Sequence, residues 1–215
     1  MHVAILRHGP TEWNAQGRIQ GSIDTPLSAE GRLRMSALLS PDGFDGACAY
    51  CSPKLRARQT AACLGLEPIF DERLVEQDWG AWEGLTRGGI LARDGRDAFE
   101  RAGSQRGIEF RPPGGESTGE VHARVQSFLT DVATKGEDAI VVAHLGVLRA
   151  AYALATGWDM SAAMPPELDP RAALILLLSQ DGTPQVSKLN APLRPRLRAG
   201  GDYFVDTAAY PARGK

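Results

Sequence analysis

This chain of 215 residues has few cysteines, no dominant charge and no long apolar run. Three cysteines are too few and too odd in number for a disulfide framework, which favours a reducing compartment. The 24 basic and 26 acidic residues are interspersed and leave a net charge of -2, so no basic stripe predicts nucleic-acid binding. No apolar run reaches the length of a membrane span, and no cleavage site follows the first one. We therefore expect a cytoplasmic protein with no nucleic-acid partner and no membrane partner.

Two of the cysteines, Cys48 and Cys51, form a CxxC pair within the apolar segment GACAYCS. The pair does not stand at a helix start, which is where a redox motif would lie. Cysteines of a buried strand are the favoured interpretation, and redox or metal chemistry is the alternative.

Short apolar segments alternate along the chain with segments of helical spacing, and the 43% hydrophobic content is enough for a substantial core. Strands are predicted at 2–6, 46–50, 139–143, 172–178 and 184–190. Helices are predicted at 28–39, 53–64, 120–134 and 146–155. The last strand is polar and is expected at a sheet edge. This alternation predicts an α/β fold, a three-layer α/β/α sandwich with a mostly parallel central sheet.

Three helix starts carry sequence signals. Ser28 is the expected N-cap of its helix, and Ser52 followed by Pro53 has the order of a cap and a first helical residue. Ser117 and Glu120 have the spacing of a capping box.

One domain is expected, with one elaborated loop. Residues 1–190 are predicted to form this domain. Residues 86–116, rich in glycine and arginine, are expected to be a loop-rich insertion over the site, with one or two short helices. Residues 191–215 have no clear period and are expected to be a C-terminal tail.

Charged side chains follow predicted buried strands. The first strand runs into Arg7 and His8, the second leads to a helix with Arg56 in its first turn, and the strand AIVVA ends in His144. Ligands of open α/β sheets bind at the carboxyl ends of strands, beside helix N-termini that favour anions. Guanidinium groups match phosphate oxygens, so a phosphate site is predicted. Taken singly, a histidine at a strand end is ambiguous, and Arg56 on a solvated helix face is the alternative interpretation.

Six segments in order resemble the signature of the histidine phosphatase superfamily, which includes phosphoglycerate mutases and many small phosphatases. They are LRHGPTEWN, GRIQGSIDTPLSAEG, CSPKLRARQTA, LVEQDWGAWEGL, PPGGES and VVAHLGVLRA. The resemblance covers most of residues 1–155. It implies a phosphoglycerate mutase-like fold.

The resemblance also implies roles for individual residues. His8 would be the nucleophile that accepts the phosphoryl group, and Glu76 the proton donor. Arg7, Arg56 and His144 would hold the phosphoryl oxygens. The substrate side is expected to involve Asn14, Gln20, Gly21, Arg87 and Leu145. A neutral imidazole beside cations suits nucleophilic attack, and neither a metal nor a cofactor is implied.

One position departs from the pattern of the family. Members of the family that this chain resembles usually have two glycines after the second histidine, whereas Leu145 stands between His144 and Gly146 here. The Leu145 side chain must be accommodated, so the local backbone shape and the pocket volume differ, while the reaction type is expected to be unchanged.

Hydrolysis of a small phosphomonoester is the favoured function. The segment between Glu76 and His144 is shorter than in the mutases of the family, and WGAWEGL resembles the phosphatase branch. A cofactor-dependent phosphoglycerate mutase is the first alternative, and a catalytically silent phosphate-binding or regulatory module is the second. A cysteine phosphatase fails on the spacing after Cys51, and an aspartate phosphatase would need aspartates where His8 stands. The substrate and the oligomeric state, a homodimer included, stay open.

Overall fold

The computed structural model describes residues 1–161 and 163–197. The strands are β1 His2–Arg7, β2 Leu38–Leu39, β3 Cys48–Cys51, β4 Ile69–Phe70, β5 Ala139–Ala143, β6 Ala173–Leu178, β7 Pro184–Ala191 and β8 Arg194–Pro195. The helices are α1 Glu12–Ala15, α2 Ala29–Ser36, α3 Leu55–Leu64, α4 Arg87–Asp94, α5 Ala98–Arg101, α6 Thr118–Ala133 and α7 Leu145–Thr156.

Six of these strands form one sheet in the order β4-β3-β5-β1-β6-β7. The pairings from β4 to β1 are parallel, and β6 and β7 join antiparallel to their neighbours. The mostly parallel sheet is as predicted, and β7 is the edge strand that its polar sequence indicates. Strands β2 and β8 pair with each other outside this sheet.

Helices cover both faces of the sheet, because successive residues of each central strand point to opposite sides. In β1, Val3 and Ile5 pack into a core with residues of α6 and α7. Ala4 and Leu6 pack into a second core with residues of α2 and α3. The three-layer α/β/α architecture is therefore confirmed.

Two predicted helix bounds are wrong. Helix α3 begins at Leu55 with Lys54 as its N-cap, so Ser52 and Pro53 lie before the helix. The Ser52 hydroxyl, which was expected to cap the helix, lies 2.8 Å from Nε2 of His144 instead. Helix α2 ends at Ser36, and the next leucines form β2 because their backbone pairs with β8.

The other two predicted caps are confirmed. The Ser28 hydroxyl accepts the N–H of Gly31 at 2.9 Å. Ser117 and Glu120 form a capping box at the start of α6, with both of its reciprocal hydrogen bonds present. Such caps satisfy amide donors that have no acceptor within the helix.

The segment 86–116 contains the short helices α4 and α5 and one 3₁₀ turn, as expected. It packs on Trp82, which is fully buried in a cluster with Ile90 and Ala98. The indole N–H donates to Asp94 at 2.7 Å. This aromatic cluster is a small core separate from the two cores beside the sheet.

The predicted tail is described in part. Its residues 194–195 form β8, and residues 198–215 lie outside the described residues. In the part of the chain that the structure covers, no helix combines the length and the apolar character needed to cross a membrane.

Candidate active site

The register of the parallel strands aligns three strand ends. Arg7 of β1 pairs with Ala143 of β5, and the His8 N–H donates to the Ala143 carbonyl at 2.9 Å. On the other side of β5, the Ser52 N–H donates to the Val142 carbonyl at 3.0 Å. The residues that follow β1, β3 and β5 therefore lie side by side at one edge of the sheet. We call the group formed there by Arg7, His8, Arg56 and His144 the strand-end site.

The His8 imidazole is buried and has one fixed tautomer. Its Nδ1 lies 2.7 Å from the Gly9 carbonyl, which can only accept, so Nδ1 carries the proton. The Nε2 atom then keeps its lone pair. Burial, with the positive charges of Arg7 and Arg56, holds the pKa of His8 well below its usual value. The ring is therefore neutral and able to act as a nucleophile near neutral pH.

His144 faces His8, with 5.2 Å between the ring centroids. Its Nε2 lies 2.8 Å from the Ser52 hydroxyl, and its buried Nδ1 has no hydrogen-bond partner among the described residues. Burial, reinforced by the positive charges around it, holds the pKa of His144 well below its usual value. One nitrogen of this ring thus remains for a ligand.

Arg56 is fully buried, so the solvated helix face is ruled out. Its Nη1 donates to the Ile23 carbonyl and its Nη2 to the Gly21 carbonyl, both at 2.8 Å. Its buried Nε has no partner in the part of the chain that is described. Gly21 has a φ of +52°, and a Cβ there would lie 1.9 Å from Glu83 Oε1. The backbone around Gly21 therefore holds the guanidinium in place.

The Glu76 carboxylate is held at the N-terminus of α7. Its Oε1 accepts the N–H groups of Gln77 and Gly146, both at 2.9 Å. Gly146 lies in the first turn of α7, where amides lack intrahelical acceptors and negative charge is favoured. A Cβ on Gly146 would lie 2.4 Å from Glu76 Oε1. A side chain at position 146 would therefore displace the Glu76 carboxylate from this hydrogen bond.

Leu145, the departure from the family pattern, is the first residue of α7. Its side chain is half-buried and packs against the core formed with α6 and α7. It is not among the residues with positive φ, so its backbone needs no glycine. The fold thus accommodates Leu145 without disturbing the neighbouring contact between Gly146 and Glu76.

A partly buried ion pair supports the loop that carries Glu76. Arg124 donates to both carboxylate oxygens of Glu116, at 2.7 and 3.0 Å, and its Nη1 donates to the Arg73 carbonyl at 2.6 Å. Gln77 donates from its amide to the Glu116 carbonyl at 2.9 Å. Glu116 therefore ties the loop of Glu76 to α6 through its side chain and its carbonyl.

Asn14 lies beside the strand-end site. Its Oδ1 accepts the Thr11 N–H at 3.0 Å in the capping box of α1. With Arg7 and His8, it lines a cavity of about 160 Å³. The cap leaves the two amide hydrogens of Asn14 for other acceptors.

Gln20 and Arg87 lie in different surroundings. Gln20 is buried and accepts the Thr25 hydroxyl at 2.6 Å. Arg87 is exposed on α4, and its guanidinium stacks 4.3 Å from the ring centroid of Phe99 in the aromatic cluster. Contact of either residue with substrate stays a prediction.

Sequence reasoning missed the parts of the site that support other residues. The Thr60 hydroxyl accepts the Gly9 N–H at 2.9 Å and donates to the Arg56 carbonyl at 2.7 Å. It joins the backbone after β1 to α3. The four-residue spacing from Arg56 to Thr60 placed both on one helix face, and that was the available signal. The Ser52 hydroxyl was noticed, but only as a cap.

Together these groups can hold an anion beside a neutral imidazole and a carboxylate. The cations Arg7 and Arg56 act electrostatically on His8, and Glu76 lies at the adjoining helix start. Phosphoryl transfer needs a positioned nucleophile and positive groups for the equatorial oxygens, which this arrangement offers.

Comparison with known proteins points to the same chemistry. Phosphoserine phosphatase 1 of Hydrogenobacter thermophilus is 32% identical over 166 residues, which cover 73% of this chain and 77% of that protein. A 2,3-bisphosphoglycerate-dependent phosphoglycerate mutase of Methylobacterium radiotolerans is 34% identical over 218 aligned positions, 95% of this chain and 97% of that protein. The mycobacterial glucosyl-3-phosphoglycerate phosphatase has a similar structure, with a TM-score of 0.70, 26% identity and coverage of 88% of this chain and 99% of that one.

A family model extends the likeness over nearly the whole described chain. The model described as histidine phosphatase superfamily (branch 1) matches residues 3–192. The match includes every strand of the main sheet and every residue of the strand-end site. The chain therefore belongs to the histidine phosphatase superfamily.

Proposed function

We propose that the protein is a phosphomonoesterase that hydrolyses a small phosphorylated metabolite through a phosphohistidine. The observation that carries this proposal is the hydrogen bond between His8 Nδ1 and the Gly9 carbonyl. It leaves Nε2 unprotonated in a buried group of cations, which is what a phosphoryl acceptor needs.

In the first step, Nε2 of His8 attacks phosphorus, the N–P bond forms and the ester P–O bond breaks. Arg7 and Arg56 neutralise the charge on the equatorial oxygens, and neutral His144 donates a hydrogen bond to one of them from its Nδ1. Glu76, in its protonated form, gives its proton to the leaving alkoxide. The alcohol leaves and the phosphohistidine remains.

In the second step, water attacks the phosphorus of the phosphohistidine. The Glu76 carboxylate takes a proton from this water, so one group serves both half-reactions. The N–P bond breaks, His8 regains its lone pair and inorganic phosphate leaves. The two hydrogen bonds to Glu76 Oε1 hold the carboxylate in one place for both steps.

Similar proteins support hydrolysis of a small metabolite. They include a phosphoserine phosphatase and a glucosyl-3-phosphoglycerate phosphatase. A metal-independent phosphoserine phosphatase of Arabidopsis thaliana is 36% identical over 161 residues, 70% of this chain and 66% of that protein.

A second candidate is a cofactor-dependent phosphoglycerate mutase. The relative from Methylobacterium radiotolerans, which bears that name, aligns over 95% of this chain. A mutase must protect its phosphohistidine from water, whereas a phosphatase admits water at that stage. The two functions therefore differ in the fate of one intermediate.

A panel of phosphomonoesters, assayed in the presence of a chelator, tests the proposal. We expect the wild type to release phosphate and His8→Ala to have no measurable turnover. Glu76→Gln should lose roughly 10²–10⁴ in kcat on esters with poor leaving groups, because it cannot protonate the alkoxide. His122→Ala on α6 is the matched control and should keep full activity. Activity that the chelator abolishes would contradict the proposal.

Trapping separates the candidates. Quenched wild type should carry an acid-labile, alkali-stable phosphoryl group that His8→Ala lacks. Efficient interconversion of 3-phosphoglycerate and 2-phosphoglycerate, with little release of phosphate, would assign a mutase instead. Binding of phosphate without turnover on any ester would assign a regulatory module.

A further inference from the structure

Arg149 is a cation near the site to which the mechanism above gives no role. It lies on α7, three residues after Gly146, so the two share a helix face. Side chains of a helix tilt toward its N-terminus, which brings the Arg149 side chain toward the end of α7 that holds Glu76. The negative charge of Glu76 opposes the lowering of the Arg149 pKa that burial causes, which agrees with this placement.

The Arg149 side chain is partly buried, and one of its guanidinium donors lacks a hydrogen-bond acceptor. Its Nε is buried and has no hydrogen-bond partner among the described residues. Its described contact is with the ring of Trp158, whose centroid lies 5.4 Å from the guanidinium carbon. A guanidinium offers five N–H donors, and leaving buried donors unpaired is costly.

A nearby arginine provides the contrast. Arg124 is also partly buried, but its guanidinium donates to both oxygens of Glu116 and to a backbone carbonyl. The buried atoms without partners in the described chain include Arg56 Nε and His144 Nδ1, both in the proposed phosphoryl site. Arg149 Nε shares this property, which indicates that it too is a donor available to a ligand.

The position of Glu76 indicates which part of a bound substrate would lie beside Arg149. Under the proposed mechanism, Glu76 protonates the leaving oxygen, so the carbon skeleton of the substrate begins beside its carboxylate. Arg149 lies about one helical turn after Gly146, whose N–H donates to the Glu76 carboxylate. A group two or three atoms beyond the leaving oxygen would therefore lie at the guanidinium.

We propose that Arg149 is a specificity-determining residue that binds a carboxylate on the leaving group of the substrate. The inference rests on the proposed function, and it narrows the substrate to a phosphate ester of a small hydroxy acid. A planar guanidinium matches a carboxylate with two parallel hydrogen bonds. A single cation beside the Trp158 ring and the Glu76 carboxylate suits one negative charge better than the two of a phosphate.

The test compares substrates that differ in this carboxylate. In glycerol 3-phosphate, a hydroxymethyl group replaces the carboxylate of 3-phosphoglycerate. We expect the wild type to prefer 3-phosphoglycerate in kcat/KM, and Arg149→Met to lose roughly 30-fold or more on it, as for truncation of a buried charge pair. Activity on glycerol 3-phosphate should change little. Arg149→Lys should recover part of the loss because it keeps the charge without the fork.

The control is Arg58→Met, which removes an exposed positive charge from α3. It should leave the preference between the two substrates unchanged. An equal loss on both substrates in Arg149→Met, with the fold retained by circular dichroism, would assign Arg149 a structural role and overturn the proposal. A wild type without preference would overturn it as well.

A binding measurement does not depend on turnover. In a His8→Ala background, calorimetry compares 3-phosphonopropionate with propylphosphonate, which lacks the carboxylate. We expect at least about tenfold tighter binding of the former, a difference of 1.4 kcal/mol, and loss of that difference in Arg149→Met. Equal affinities overturn the carboxylate site. A retained difference in a protein that hydrolyses no ester would instead overturn the proposed function and leave the carboxylate site standing.

Discussion

The strand-end site and the aromatic cluster around Trp82 hold their charged groups in opposite ways. At the strand ends, Arg56 and His144 are 0% exposed and His8 is 6% exposed. In residues 86–116, Arg93 and Arg101 form ion pairs in which both arginines remain substantially exposed. The cluster beside them buries the indole of Trp82 instead.

This difference in burial indicates that the strand-end site serves function and the aromatic cluster serves stability. Buried cationic groups whose donor atoms lack hydrogen-bond acceptors cost free energy. An anionic ligand that accepts from these atoms offsets that cost. The cluster around Trp82 gains its stability from apolar burial and needs no ligand. Changes at the strand ends should therefore act on catalysis, and changes in the cluster should act on stability.

Loss of a strand-end cation is expected to have the largest effect. Arg56→Met should lower kcat/KM by roughly 10³–10⁵, the range measured for an arginine that stabilises a transferring phosphoryl group. Arg58→Met removes an exposed charge two residues away and should change little. Steady-state kinetics on the best ester measures both. Comparable losses in the two variants would mean that net charge, and not position, matters.

Truncation in the aromatic cluster should act on stability. Trp82→Ala removes a fully buried indole and should destabilise the protein by about 3–5 kcal/mol, with increased hydrogen exchange concentrated in 86–116. Phe70→Ala, at a ring that is 52% exposed, is the control and should cost far less. Urea unfolding measures both. A larger loss of kcat than of stability in Trp82→Ala would contradict the division between the two regions.

A methyl group at Gly146 should displace Glu76, the proposed proton donor. Gly146→Ala would place a Cβ 2.4 Å from Glu76 Oε1, so the carboxylate must move. A displacement of this kind costs about 10² in rate, and we expect a loss of that size in kcat. Gly88→Ala, where the nearest atom would lie 3.9 Å away, should be neutral. Unchanged kcat in Gly146→Ala would show that Glu76 needs no fixed position.

Acid should destabilise the strand-end site through its two imidazoles. The pKa values of His8 and His144 are lowered in the folded protein, so below about pH 6.5 the unfolded chain binds protons that the folded one does not. Stability should fall as the pH drops from about 6.5 toward the folded pKa values, by about 1.4 kcal/mol per pH unit for each imidazole. Above pH 6.5 both rings are neutral in either state and contribute no slope.

Urea unfolding at pH 7.0 and 5.5 measures this slope. His144→Gln should flatten it, because one of the two buried imidazoles is removed. His2→Gln, at the start of β1, should leave it unchanged. Identical slopes in the wild type and His144→Gln would mean that the buried ring is not the group that takes up protons on unfolding.

The predictable parts of the molecule are those with local signals. The strand ends carrying Arg7, His8 and His144 follow from apolar runs that stop at polar residues. The capping box at Ser117 follows from its spacing. The same local logic failed at Ser52, because serine followed by proline has the pattern of a cap whichever group the hydroxyl meets in the fold.

The sequence by itself determined the strands, their layers and the polar residues at their ends, because hydrophobic period and capping are set by neighbours along the chain. Only the tertiary structure decided that Glu76 reaches the N-terminus of α7 and that a side chain at position 146, but not one at position 145, would meet its carboxylate. It also decided that Arg124 is paired while Arg149 Nε is left without a partner in the described chain. These outcomes depend on contacts between segments far apart in sequence, where one ångström separates a hydrogen bond from a clash, and no local pattern encodes such distances.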